Sequence, residues 1–490
     1  MSTERLFDDD AASVPATAGA PTSPSGAPRL LTANRTQVEL RLFDPESLLP
    51  ADHEARAIWA LVEKLDLSEF YAGILACGSE PGRSALDPKV LLCLWLYATS
   101  QGLGSARELS RLCKEHHAYR WICGGLTPNY HKLSDFRVGQ QAALDALMTQ
   151  ILAVLLRQKL VRLKRTAHDG MRVRASAGAA SFRRKKSLDE HLEAARQQVE
   201  AVKNLADDPS VTARERAAQE RAAQERQARI ERALEELPKA QAAKKSHHKK
   251  KAKSTAKPAV QASTSDETRP APTVETPASE ASLSVAAAVP AAAAEPPKPV
   301  ESGDEARVST TDHEARVMKM GDGGFRPAYN VQLATDTESR FIVGVSVTNV
   351  GSDGAQLTPM LGEIRRRAGK LPSEHLVDGG FVNGKAIEKA SQDGVTVYAP
   401  VPAPRKEGVD RYAPKADDSP EVAAWRERMG TALAKTIYKE RAATAETVNA
   451  DLRMWRGLDR FVVRGLAKVT SIALWSAITY NMLRWIAVTA

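Results

Sequence analysis

Val161-Arg-Leu-Lys-Arg-Thr-Ala-His-Asp-Gly-Met-Arg-Val173 alternates along its length. Val161, Leu163, Arg165, Ala167, Asp169, Met171 and Val173 share one face of a period-two pattern. The spacing predicts a strand that carries Asp169 on a mostly apolar face, where an unpaired carboxylate is costly. Upstream the pattern is helical. Apolar residues recur at three- and four-residue spacing in Ile58, Trp59, Leu61, Val62 and Leu65, and again in Val90, Leu91, Leu92, Leu94 and Trp95. Asp87-Pro88 reads as a cap with a first-turn proline, and Ser105 to Cys113 as a further helix after Gly102-Leu-Gly104. Short helices with tight connections predict an all-α, helix-turn-helix-like DNA-binding domain over 36–160.

Downstream of the strand, no Phe, Trp or Tyr occurs between Arg183 and Gly324. A gap that long predicts a region without a conventional core. Its first part, 187–238, is a charged helical arm or hairpin with a near five-residue repeat at Glu215 and Glu220, and it has no heptad seam. Residues 239–308, lysine-rich and then Ala/Pro-rich, are expected to be disordered, as is the Ala/Pro/Ser/Thr tail at 1–35. Ordered signals resume with two alternating runs, Tyr329 to Thr335 and Arg340 to Thr348, about a turn at Asp336-Thr-Glu-Ser339. A helix from Gln356 to Ala368, a strand from Glu374 to Asp378, a helix from Asn383 to Gln392, a strand from Val395 to Ala399 and further helices follow. This order is a mixed α/β sheet interrupted after its first strand. It predicts one domain from 161–186 and 309–490.

Composition narrows the partner. The chain has 490 residues, room for two or three domains, and a net charge of +9. An anionic partner is favoured. The seven lysines from Lys239 to Lys253 account for most of that excess. They lack aromatic neighbours, so they either attract phosphate without reading sequence or only solubilise a linker. Four cysteines in a chain this long are no disulfide scaffold and suit a cytoplasmic protein. The N-terminus has no apolar signal segment, and Ser471 to Val488, interrupted by Asn481 and Arg484, reads as a buried amphipathic helix and not a membrane span. Cys113, His116, His117 and Cys123 do not have a standard zinc spacing.

Near the C-terminus, Tyr438, Arg441, Glu446 and Arg453 follow one another at offsets of three, five and seven in a stretch free of Pro and Gly that ends at Gly457. On an α-helix they fall within an arc of about 140°, with Glu440 about 100° or more from each. One face then holds an acid, two guanidiniums and a phenol. Asp169 in a strand, Asp378 at a strand end and Glu446 on this helix are three acids suited to hard divalent cations, Mg²⁺ or Mn²⁺. Three carboxylates around two such ions serve in-line phosphoryl displacement.

These residues carry a resemblance. His168-Asp-Gly-Met-Arg-Val-Arg-Ala-Ser176, Asp312-His-Glu-Ala-Arg-Val-Met318, Gly323-Gly-Phe325, Tyr329-Asn-Val-Gln332, Leu376-Val-Asp-Gly-Gly-Phe381, and Tyr438 through Glu446 and Arg453 to Leu466 resemble the DDE transposases of bacterial insertion sequences. Asp87-Pro-Lys-Val-Leu91 and Tyr119-Arg-Trp-Ile-Cys-Gly-Gly125 are similar to the helical domain that precedes such cores. The resemblance covers most of 40–180 and 310–485. It implies a ribonuclease-H-like mixed sheet flanked by helices, with Asp169, Asp378 and Glu446 as a triad holding two metal ions. It further implies that element ends in double-stranded DNA are cut and the freed 3′-hydroxyls joined to target DNA, with two copies of the chain assembled on the ends. Tyr438, Arg441 and Arg453 match the signature near the glutamate, though the family often has Lys where Arg453 stands. Arg183, Arg184, Lys185 and Lys186, just past the first strand, are expected on the DNA backbone. A metal-dependent nuclease on the same core and an inactive DNA-binding regulator are the alternative readings.

Overall fold

The computed structural model describes residues 44–75, 84–204, 212–255, 305–404 and 408–489, so the expected disordered tail at 1–35 and most of the Ala/Pro tract lie outside the described residues. A run of helices comes first: α1 (Glu54–Val62), α2 (Ser68–Tyr71), α3 (Pro88–Ser100), α4 (Ala106–Glu115), α5 (His117–Cys123), α6 (Tyr130–Gly139) and α7 (Gln141–Arg157). The local signals act as read. The Asp87 carboxylate accepts from the Lys89 amide ahead of Pro88, and Ser105 accepts from the Glu108 amide to start α4.

The first strand, β1 (Arg165–Arg174), begins at Arg165 and not at Val161, because Leu163 takes a left-handed φ of 55° that ends the extended run. Then come β2 (Phe182–Arg183), α8 (Lys185–Asn204), α9 (Ala213–Thr255), β3 (Val308–Ser309), β4 (Arg316–Lys319), β5 (Phe325–Asp336), β6 (Ile342–Thr348), α10 (Leu357–Ala368), β7 (Glu374–Val377), α11 (Gly384–Gln392) and β8 (Thr396–Tyr398). The chain finishes with α12 (Pro420–Gly430), α13 (Ala432–Arg441), a π-type turn (Ala442–Glu446), α14 (Thr447–Trp455) and α15 (Leu466–Thr489).

β1 lies inside the main sheet, whose order is β4-β5-β1-β7-β8. β5 runs antiparallel to it, with Asp169 opposite Leu333, and β7 runs parallel, with His168 opposite Val377. β4 and β6 pair in turn along the far edge of β5, and β8 pairs in parallel with β7. Flanked on both edges, β1 buries Ala167, Met171 and Val173 on one face and Thr166 and His168 on the other. The mixed sheet expected from the element order is therefore formed, with β4 as an added short strand.

Two expectations about organisation change. The helical part expected as a domain of its own over 36–160 shares its packing with the sheet. α15 packs against α3, α6 and α7 as well as β6, and a continuous hydrophobic core runs through both parts. α15 is accordingly not amphipathic. Every residue from Ser471 to Thr479 is buried. The indole of Trp475 donates to the Arg137 carbonyl at 2.9 Å, and Asn481 bonds both the amide and the carbonyl of Ile342. Among the described residues no single helix is long and apolar enough to cross a membrane.

The second change concerns the insert. α8 and α9 form a hairpin, and they have a small aliphatic core of their own: Leu188, Ala195, Ile230, Ala233, Leu237 and Ala240 with Ala306 and Val308 of the returning chain. The absence of aromatics left only a core built from small side chains. The lysine-rich stretch from 239 continues α9 to Thr255, so it is helical at its start and not disordered, as Ala, Gln and Lys all favour helix. An ion pair between Glu236 and Arg316 at 2.8 Å ties the hairpin to β4.

Candidate active site

The register of β1 and β7 decides the site. His168 pairs with Val377, so the next residues, Asp169 and Asp378, emerge side by side at neighbouring parallel strands, about 5 Å apart along the sheet. Asp378 caps the tight turn Gly379–Phe381, accepting from the Gly380 amide at 2.7 Å. Asp169 Oδ1 accepts from the Gly170 amide at 2.9 Å. Burial pushes the Asp169 carboxyl up to about 6. Arg441 pulls against that rise, and the negative charges of Asp378 and Asp353 add to it.

The C-terminal helical run supplies the cations. Arg441 Nη1 lies 3.9 Å from Asp169 Oδ2, and its Nη2 lies 3.5 Å from Glu446 Oε1, so one guanidinium bridges two of the three expected acids. Counted as an unbroken α-helix, Arg441 and Glu446 would stand about 140° apart around the axis, and the extra residue of a π turn takes back about one 100° step. That brings both to one side, while the π turn itself packs against β1 and β5. Tyr438 is half-buried beside them. Burial raises its hydroxyl, the charge of Arg441 and a hydrogen bond with it oppose, and Asp378 and Asp169 add to the rise. Arg453 is exposed and donates to the Arg172 carbonyl at 3.3 Å. Glu440 turns away to Arg165, which also holds Glu374 at 2.7 Å.

The structure thus brings together Asp169, Asp378, Tyr438 and Arg441. Glu446 stays 64 % exposed and faces Arg441. Among the described residues no three of His, Cys, Asp and Glu converge closely enough to hold an ion, and this includes Cys113 and Cys123, which are buried apolar-helix residues. The donor chemistry nevertheless fits a hard divalent cation. Asp169 and Asp378 offer only oxygens and repel each other, a repulsion that a cation relieves. Arg183 to Lys186 sit elsewhere, at the foot of the insert. Arg183 is in β2, Arg184 lies 4.0 Å from Glu305, and Lys185 pairs with Asp189 at 2.8 Å on the first turn of α8.

Sequence reading missed two residues. The Asn449 amide donates to Asp169 Oδ2 at 2.9 Å, leaving its own oxygen buried without a partner. Asn449 lies one helical turn past Glu446, so helical spacing was the signal that could have found it. Asp353, in the loop Gly351-Ser-Asp-Gly354, carried no signal beyond that of a turn. It packs over Gly170, where an added Cβ would collide with Asp353 Oδ1 and stand 2.6 Å from Gln332 Nε2. Gly170→Ala is expected to lower the unfolding free energy by about 1–3 kcal/mol, as overpacking does, which a thermal or denaturant melt measures.

Two transposase domains match this chain: the Transposase domain (DUF772) over residues 43–139 and the Transposase DDE domain over residues 302–482. No curated protein and no solved structure matches it. The first match covers the leading helices, and the second covers β4 to β8 and the helices behind Arg441 and Glu446, so the sheet is ribonuclease-H-like. A transposase domain followed by a transposase DDE domain is the arrangement typical of insertion-sequence enzymes, and the chain belongs to the DDE transposases.

Proposed function

We propose that this transposase cleaves the ends of its element and joins the freed 3′-hydroxyls to target DNA, with Asp169, Asp378 and Glu446 holding two divalent ions, Mg²⁺ or Mn²⁺. The observation that carries this reading is the pair Asp169–Asp378, set side by side by strand register, with Arg441 linking Asp169 to Glu446. Bound there, the ions would stabilise the charge that builds on the attacking and leaving oxygens of an in-line displacement. The chain's own residues supply the rest. Burial and repulsion keep Asp169 ready to take up a cation. Arg441 neutralises Asp169 and holds Glu446 nearby while the site waits. Arg453, exposed on α14 near the acids, offers its guanidinium to the DNA backbone. Arg183 to Lys186 and the lysines of α9 are assigned to phosphates along the flanking DNA. Each chain carries one such site and an element has two ends, so two copies act together on double-stranded DNA.

The test is a strand-transfer assay with linear DNA bearing the element ends, Mg²⁺ and a target plasmid. Cut ends and joined product are expected. Cuts without joined product would identify a nuclease, and neither product would identify a regulator. In the same assay Glu446→Gln is expected to abolish cleavage while end binding, read by gel shift, stays within about twofold, the mark of a residue whose contribution appears only in the transition state. Retained cleavage at saturating Mg²⁺ would remove Glu446 from the triad.

A further inference from the structure

Asp353 is a carboxylate 7 % exposed, held on three sides. Its Oδ1 accepts from Asn330 Nδ2 at 2.7 Å and Gln332 Nε2 at 2.8 Å, both on β5, and its Oδ2 accepts from Arg172 Nη2 at 2.8 Å on β1. The same carboxylate lies against two glycines. One is Gly170, immediately after Asp169. The other is Gly380, two residues after Asp378, where an added Cβ would stand 3.8 Å from Asp353 Oδ2. The next residue continues the clasp, since the Gly354 carbonyl accepts from Asn383 Nδ2 at 3.3 Å, at the cap of α11. Behind Gln332 the bonds run on through the buried His168, 2.8 Å from Gln332 Oε1, towards His375 on β7 at 3.4 Å. The backbone segments that carry Asp169 and Asp378 are thus braced from the same side by one charged side chain.

We propose that Asp353 is a positioning residue that fixes the spacing between Asp169 and Asp378. The proposal rests on the reading of those two acids as metal ligands. Asp353 keeps out of their role itself, because all its hydrogen bonds go to Asn330, Gln332 and Arg172. An amide at this position turns an N–H towards at least one of those three donors, which pushes the loop away from Gly170 and Gly380 without changing its volume.

The experiment compares Asp353→Asn, Asp353→Ala and Asp378→Asn in the full chain by two curves: Mn²⁺ titration followed by thermal upshift in the absence of DNA, and steady-state cleavage of element ends. Asp353→Asn is expected to raise the Mn²⁺ concentration at half-saturation, and to lower kcat, by about ten- to a hundredfold, as loss of a ligand's supporting partner does. KM for the DNA end is expected to stay within about threefold, since no DNA contact is removed. Both Asp353 variants keeping the Mn²⁺ half-point within about threefold of the unsubstituted protein would overturn the proposal, whatever happens to kcat. Should neither fold, Asn330→Ala, which removes one donor and leaves the carboxylate, is read by the same curves, and an unchanged half-point overturns it equally. Asp378→Asn separates the two layers. If that variant cleaves normally, the ligand assignment fails. If it is inactive while Asp353→Asn behaves as the unsubstituted protein, only the positioning role fails.

Discussion

Asp169→Asn will bind element ends and fail to cut them, with cleavage lowered by at least about three orders of magnitude, the scale of several kcal/mol of lost charge stabilisation. The substitution keeps the volume and removes the charge at the one acid that sits between Asp378, Arg441 and Asn449. An amide there is a poor ligand for a hard cation, and it presents an N–H to the Asn449 amide, which now donates to Asp169 Oδ2, while losing its ion pair with Arg441 at 3.9 Å. Asp378→Asn is expected to act alike, because it sits next to Asp169 in register. Folding should survive. The Asp169 carboxyl is already raised by burial and by the neighbouring charges of Asp378 and Asp353, so its loss relieves that repulsion in the metal-free protein. Single-turnover cleavage, gel shift and a thermal melt on the same preparations check all three statements. Residual cleavage within about tenfold of the unsubstituted protein would reject the assignment.

The second large effect concerns stability. Asp145→Ala is expected to lower the unfolding free energy by about 3 kcal/mol, the cost of leaving a buried charge without its partner. Asp145 on α7 receives Arg367 and a bidentate Arg366, both from α10, while Arg367 Nη1 donates to the Asp145 carbonyl and to Thr149 at 3.0 and 3.1 Å. The side chain of Arg367 is 1 % exposed, and Glu363 alone would remain to balance it. Arg366 is 49 % exposed, so Arg366→Ala, which leaves the buried pair in place, should cost less than about 1 kcal/mol. The ordering follows pH. Burial works to raise the Asp145 carboxyl, but hydrogen bonds from Arg366 and the charge of Arg367 hold it below its ordinary value. Its contribution is therefore full above the unfolded value of about 3.9 and is lost as pH falls through the lower folded value. Denaturant melts at neutral pH and near pH 3 measure the difference. Equal midpoints for Asp145→Ala and Arg366→Ala at neutral pH would refute it.

Much of this site could be read in one dimension. The alternation through Val173 placed Asp169 in a strand, the apolar Leu376-Val377 followed by Gly379-Gly380 placed Asp378 at a strand end, and Thr431 and Gly457 bounded the helical run that bears Glu446. What local pattern could not show was the π turn. Ala442-Ala-Thr-Ala445 contains no breaker, and the turn's contacts, with β1 and β5, are distant in sequence. Asp353 escaped for a similar reason: its partners Arg172, Asn330 and Gln332 lie on two strands distant in sequence. Nor did the apolar run ending at Val488 reveal that α15 serves the helices and the sheet alike, since a helix buried on all sides has no periodic face to read. The hairpin of α8 and α9 was legible as helix from its charge and alanine content. Its aliphatic core depended on Ala306 and Val308 returning to it.

That return has an architectural outcome. Chain leaves the sheet after β1 and comes back through a two-residue ladder in which Phe182 faces Ser309 and Arg183 faces Val308, with Ser181 and Ser309 joined at 2.7 Å. Departure and re-entry thus share a single doorway, so the α8–α9 hairpin leaves and rejoins the body of the protein at one place, with the Glu236–Arg316 pair as a second tether to β4.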